Sequence, residues 1–295
     1  HDPTRPQRNH LLVFGAHEDV APCANDPQRL IDAVRARGGL CFLAHPFEHS
    51  GAASGEPEID WRAWDVSGYT GLELWNYMSE FKSHARDPLG SLVIALWPRL
   101  AIAGPYAETL AKWDALLGRG PVVAIGGSDA HAKTYSLGPI RREIFPYAHL
   151  FRSLNTHVLL PEDWSGDTDR DERLLLEALA RGSAFVGYDG LAHTAGFRFA
   201  AKRADEEFIM GDHFEARGRV SFRVQVPRAA RITLLQNGFR VATARGKELL
   251  YTTRPPGVYR AEAYRRYLSV ERAWILSNPI YVGDAAAIDA APRPR

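Results

Sequence analysis

The chain has 295 residues, 45% hydrophobic and 24% charged, and 36 Lys+Arg against 35 Asp+Glu leave a formal charge of +1. Such values exclude a disordered or collagen-like chain, and at roughly 150 residues per domain the length predicts one large domain or two smaller ones. Two cysteines, Cys23 and Cys41, exclude a disulfide scaffold and a four-cysteine zinc site, which leaves eleven histidines as the richer ligand supply. The apolar runs LCFLA, VVAI and SLVIAL fall well short of the roughly 20 residues that cross a bilayer, so a soluble chain is predicted. His1 is no initiator methionine and no signal sequence follows it. The true start is therefore read as missing, with a cytoplasmic location as the expectation.

In chain order, His10 to Gly15 (HLLVFG) reads as a strand. Asp26-Pro27 caps a helix whose Leu30, Ile31 and Val34 recur at helical spacing before Gly38-Gly39. LCFLAH (40–45) and GLELWN (71–76) are the next strands; Pro105 opens a helix through Leu117, and PVVAIGG (121–127) is a wholly apolar strand. A charged helix over 169–181 precedes the strand AFVGY (184–188). Strands apolar on both faces and separated by helices predict a parallel sheet covered on both sides.

The near-zero net charge conceals a split. Residues 1–200 hold 19 Lys+Arg and 25 Asp+Glu, residues 201–282 hold 15 and 8, and the pattern changes at the same place to short strands only. A domain boundary is therefore predicted near residue 200. RVSFRVQV (219–226) alternates as a half-buried antiparallel strand, and ITLLQNGFRVAT carries Asn237-Gly238, a strong hairpin signal. With GVYRAEAY (257–264) and AWILS (273–277) these predict a small β-sandwich over 201–283, followed by an Ala/Pro tail over 284–295 expected to fray.

Three apolar runs stop at ligand-capable residues: His45-Pro46 after LCFLA, Asn76 after GLELW, and Asp129-Ala130-His131 after VVAIGGS. Carboxyl ends of parallel strands are where α/β folds place their sites, so these positions are expected to converge. Asp129 and His131, two apart in an expected extended stretch, can point to one side. A carboxylate beside an imidazole suits manganese, zinc or iron, and a simple hydrogen-bonded pair is the competing reading. Pro46 favours an extended His45. Glu73 and Asn76 at their strand end are candidates for orienting a ligand or for a structural role, and His193 in GLAHTAG for touching substrate or serving as a loop residue. Arg141-Arg142 suits an anionic transition state or a solvated surface, and Glu18 reads as loop surface. Trp75, Trp97, Trp113 and Trp164 read as core or rim.

LAHPFE, GLELWN and GGSDAH, in that order, resemble the later motifs of the PHP (polymerase and histidinol phosphatase) superfamily. GLELWNYMSEF, FRSLNTHVLL, and GVYRAEAY followed by AWILSNPIYV resemble its carbaryl hydrolase type, the CehA/McbA-like metallohydrolases, over about residues 10–282. The resemblance implies a distorted (β/α)7 barrel, N-terminally incomplete here, with two or three divalent ions (Mn, Zn or Fe) at its strand ends. It implies metal ligation by His10, His45, Asp129 and His131, with His45, Asp129 and His131 carrying catalysis. The family's opening His-x-His, Asp-His and Gly-x-Glu motifs are not visible before His10, and His1-Asp2 is too short to stand for one.

The expected function is metal-dependent hydrolysis of a small-molecule phosphoester, with carbamate or aryl ester hydrolysis as the alternative. In this chemistry bound water is activated towards pKa 7 from about 15.7. Neither a Gly-x-Ser-x-Gly elbow nor a phosphate-binding loop competes with it. A catalytically silent PHP-like scaffold and, less favoured, nucleic-acid binding by the basic C-terminal part are the other readings. A homo-oligomer is compatible with all of them.

Overall fold

The computed structural model describes residues 8–51, 58–132, 134–137, 140–143, 145–215 and 217–283. His1-Asp2 and the 284–295 tail lie outside them. The described chain is mixed α/β: a curled four-stranded sheet, a two-stranded hairpin, and a strand-rich region built on one ten-stranded sheet.

The curled sheet contains β1 (Leu11–Phe14), β2 (Leu40–Leu43), β3 (Gly71–Asn76) and β4 (Val123–Gly127), in that spatial order. Between β1 and β2 runs α1 (Pro27–Ala36), capped as expected: the Asp26 side chain accepts from the Gln28 and Arg29 amides. Its buried Leu30, Ile31 and Val34 cover the β2 side, where Ile31 and Val34 pack with Cys41. Between β3 and β4 lie α2 (Tyr77–His84), α3 (Pro88–Leu96) and α4 (Ala107–Leu117). Trp113 of α4 is wholly buried and donates its indole N–H to the Val122 carbonyl. Trp75 is also core, whereas Trp97 and Trp164 are exposed.

β2, β3 and β4 run parallel, as the apolar runs predict, but β1 pairs antiparallel with β2. This corrects the all-parallel expectation, because an apolar run reports burial and not strand direction. The antiparallel pairing places the start of β1 beside the carboxyl end of β2, where the Ala44 amide donates to the His10 carbonyl (3.0 Å). In a parallel pair His10 would lie at the far end of the sheet.

The hairpin is β5 (Thr134–Leu137) with β6 (Ile140–Glu143), followed by α5 (Tyr147–Leu150), β7 (Leu154–Val158), α6 (Thr168–Arg181) and β8 (Ala184–Tyr188). Both partners of β8, namely β7 and β15 (Val270–Ser277), are antiparallel to it. The apolar AFVGY segment is therefore no parallel strand, a second correction with the same cause.

The remaining strands are β9 (Arg198–Arg203), β10 (Glu206–Ile209), β11 (His213–Phe214), β12 (Val220–Gln236), β13 (Phe239–Thr253), β14 (Gly257–Tyr267) and β16 (Ile280–Val282). RVSFRVQV and ITLLQ are one 17-residue strand, β12, whose ladder to β13 is interrupted between Gln225 and Ala230. Its first half pairs with β9 and its second half with β14. Asn237 (φ 52°) and Gly238 (φ 80°) join Gln236 to Phe239 in a two-residue turn with both φ positive, the type I′ geometry that Asn-Gly favours. β7 and β8 belong to the same sheet as β9–β16, and β9 crosses residue 200, so hydrogen bonding is continuous there.

The free side of β4 meets side chains in place of a strand. Asn278, wholly buried, accepts from the Ala124 amide (2.7 Å) and donates to the Ala124 carbonyl (2.9 Å) and the Ala184 carbonyl (3.0 Å). The Thr156 hydroxyl does the same for Gly126, accepting from its amide (2.9 Å) and donating to its carbonyl (2.8 Å). No helix among the described residues is long and apolar enough to cross a membrane.

Candidate functional site

The ends of β2, β3 and β4 and the start of β1 bring together His10, His45, Glu73, Asn76 and Asp129. The His10 and His45 rings lie edge to face, 5.1 Å between centroids. Buried Glu73 holds this corner: its Oε2 accepts from the His45 amide (2.8 Å) and from Asn76 Nδ2 (3.0 Å). Asn76 also caps α2, accepting from the Ser79 amide (2.8 Å), which fixes its side chain between strand and helix. A side chain at Gly127 would come within 2.7 Å of Glu73 Oε1, so glycine there leaves room for the carboxylate.

His45 adopts φ 27°, not the extended conformation that Pro46 favours. Its amide is held by Glu73, and its Nδ1 lies 2.7 Å from the Ile59 carbonyl. Two fixed partners over-determine a backbone state that costs about 1–3 kcal/mol. A carbonyl only accepts, so Nδ1 carries a proton, and the neutral form of the ring is the tautomer with its lone pair on Nε2, the one a metal-binding imidazole needs. Asp129 has φ 50°, so the Asp-x-His stretch is not extended either. Its carboxylate nonetheless meets His131 Nε2 at 3.0 Å, a half-exposed pair that matches the hydrogen-bonded reading as placed.

Burial pushes the Glu73 carboxyl above the usual range; the His45 charge and the hydrogen bonds from Asn76 and the His45 amide oppose this, and the Asp129 charge adds to it. A second buried carboxylate, Glu80, lines the same small cavity of about 10 Å³, room for one water. Burial pushes Glu80 to about 7 although it accepts hydrogen bonds from the Ala103, Gly104 and Trp75 N–H groups. Between about 4.5 and 7 the folded chain keeps a proton that the unfolded chain has released, so this stabilisation is complete below 4.5 and lost as pH rises to 7. Urea titrations of wild type and Glu80→Gln are expected to show the wild type losing about 3 kcal/mol more between those limits. Equal pH dependence in the two proteins refutes the assignment.

In kind, imidazole with a free lone pair beside hard carboxylates fits Mn, Zn or Fe. In number they fall short: among the described residues no group of three His, Cys, Asp or Glu is placed to hold an ion.

His193 is exposed in the loop after β8, away from this corner, and lines a separate cleft with Tyr77, His149 and Asp189. The Arg141-Arg142 backbone lies in β6, and the two side chains fall outside the described set. Glu18 is a surface residue paired with Arg37. The sequence reading missed Glu80 and the cleft residues Arg99, His149 and Arg152. Arg99 ends the apolar run LVIALWP but in a helical segment and not at a strand end, and only tertiary packing assembles these residues. No family model matches this chain, and neither a curated protein nor a solved structure is found to match it.

Proposed function

We propose that this chain is a metal-dependent hydrolase of the PHP type, its β2–β3–β4 sheet part of a distorted barrel and its preferred substrate a phosphoester. The observation that carries the reading is His45, buried at a strand end, its tautomer fixed by Ile59 and its ring against His10. A bound divalent ion would supply a water acidified towards about 7 and a clamp for developing negative charge. Glu73 holds the His45 backbone and Asn76 together, so the imidazole is presented without reorganisation. Asp129, its carboxylate 3.0 Å from His131 Nε2, would act with His131 and His45 in catalysis.

The test uses protein from the complete gene, loaded with Mn, Zn or Fe, on p-nitrophenyl phosphate and 1-naphthyl methylcarbamate. Turnover of the phosphate with stoichiometric metal is expected, falling about 100-fold or more in His45→Ala and Asp129→Ala. Preferential turnover of the carbamate would assign the alternative ester class. Absence of bound metal, or activity indifferent to both substitutions, would sink the hydrolase reading in favour of a silent scaffold.

A further inference from the structure

A cleft of about 590 Å³ opens between the 3-10 turn Pro98–Leu100, α5 and the exit of β8. Its volume is in the range of small-molecule sites, about 300–1,000 Å³. None of His10, His45, Glu73, Asp129 or His131 lines it, so it is distinct from the corner described above.

The charges of this cleft are predominantly positive. Arg99 and Arg152 both line it, and both are exposed. Arg99 is anchored by its Nε, which donates to the Gly190 carbonyl (2.6 Å), so its two terminal nitrogens keep a fixed direction. The one lining carboxylate, Asp189, is already saturated. One oxygen accepts from the Thr194 amide (2.8 Å) and hydroxyl (2.7 Å), the other from Asn155 Nδ2 (3.0 Å) and His157 Nε2 (2.7 Å). Burial alone would raise this carboxyl, but the hydrogen bonds from His157, Thr194 and Asn155 outweigh it and hold it at about 2. Asp189 therefore stays ionised with both oxygens engaged by these donors, and two arginines against this one carboxylate leave the cleft net positive.

The floor is aromatic. Tyr77 and Tyr188 are buried beneath the opening, and the Tyr77 hydroxyl lies 3.1 Å from His149 Nε2. Burial drives the Tyr77 phenol far above its ordinary range, so it keeps its proton. Burial and the Arg99 charge lower His149, which favours its neutral ring. Pro98, Pro146 and Ala148 complete apolar walls. Two guanidinium groups over an aromatic floor match one class of ligand: a small molecule with an aromatic or apolar body and one anionic head, a carboxylate, phosphonate or phosphate.

We propose that this cleft binds such an aromatic anion, with Arg99 and Arg152 on the head group and Tyr77 and Tyr188 under the body. The proposal does not rest on the hydrolase reading. Phenylphosphonate is the probe, because its carbon–phosphorus bond survives an esterase and binding is read without turnover. Calorimetric titration of chelator-treated, metal-free protein, in which the His45 corner holds no ion to draw the phosphonate, is expected to give one site, with benzyl alcohol at least about tenfold weaker and Arg152→Glu weakening phenylphosphonate about tenfold or more. Arg152 is exposed, so that substitution leaves the core untouched. Arg99→Ala is expected to weaken binding likewise, and His45→Ala to leave it within about twofold. Absence of binding up to roughly 10 mM, indifference to Arg152→Glu, or loss in His45→Ala would each overturn the proposal.

Discussion

Asp114→Ala is expected to lower the unfolding free energy by about 3–5 kcal/mol, the cost typical of breaking a buried ion pair from one side. The reason is the partner left behind. Arg260 in β14 is buried, its Nε and Nη2 each 2.8 Å from an oxygen of Asp114 in α4. Glu262 pairs with the same guanidinium and accepts from the Tyr264 hydroxyl (2.6 Å), and Trp113 lies under the cation at 5.1 Å. Burial works against the Arg260 charge, but Glu262 and Asp114 outweigh it and push its pKa up, so it stays charged in every accessible state. Removing Asp114 leaves that charge with half its compensation. Urea midpoints of Asp114→Ala, Arg260→Met and the double variant check this: the double is expected to be less damaged than the sum of the singles. Additive losses would show that the pair is not coupled.

Asn278→Ala is the second large effect, about 2–5 kcal/mol, because a wholly buried side chain takes with it three hydrogen bonds to backbone groups that water cannot reach. Asn278→Asp separates hydrogen-bond loss from cavity formation. The shape is kept, but an ionised carboxylate can still accept from the Ala124 amide and cannot donate to the Ala124 and Ala184 carbonyls. Asn278→Asp is therefore expected to be at least as destabilising as Asn278→Ala at neutral pH, read from thermal melts. A melt within a degree or so of wild type for either variant would refute the bridging role.

The sequence made part of this legible. The Asp26 cap, the helical spacing of Leu30, Ile31 and Val34, and the Asn237-Gly238 turn were readable because each depends on residues within a few positions. The convergence of His45, Asn76 and Asp129 followed from parallel neighbours ending at the same side. Strand direction was not legible: β1 and β8 are apolar runs, and a hydrophobic pattern is the same whichever way the chain runs. The left-handed turns at His45 and Asp129 were hidden as well, since they are imposed by partners such as Glu73, 28 residues from His45. The cleft escaped for the same reason. Arg99 is set by a carbonyl 91 residues away, and no local pattern encodes that distance.

The substitution of side chains for a strand along β4 also bears on error in assembly. A backbone ladder repeats every two residues, so two strands can slip by one repeat and still satisfy their amides. Asn278 and Thr156 also bond backbone groups, those of Ala124 and Gly126 respectively, so their hydrogen bonds alone permit the same slip. Val186 adds a steric check: a side chain at Gly126 would come within 2.4 Å of it. The register at this junction is therefore keyed by a glycine: a slip of β4 by one repeat would bring Ala124 or Ser128, each with a Cβ, opposite Val186.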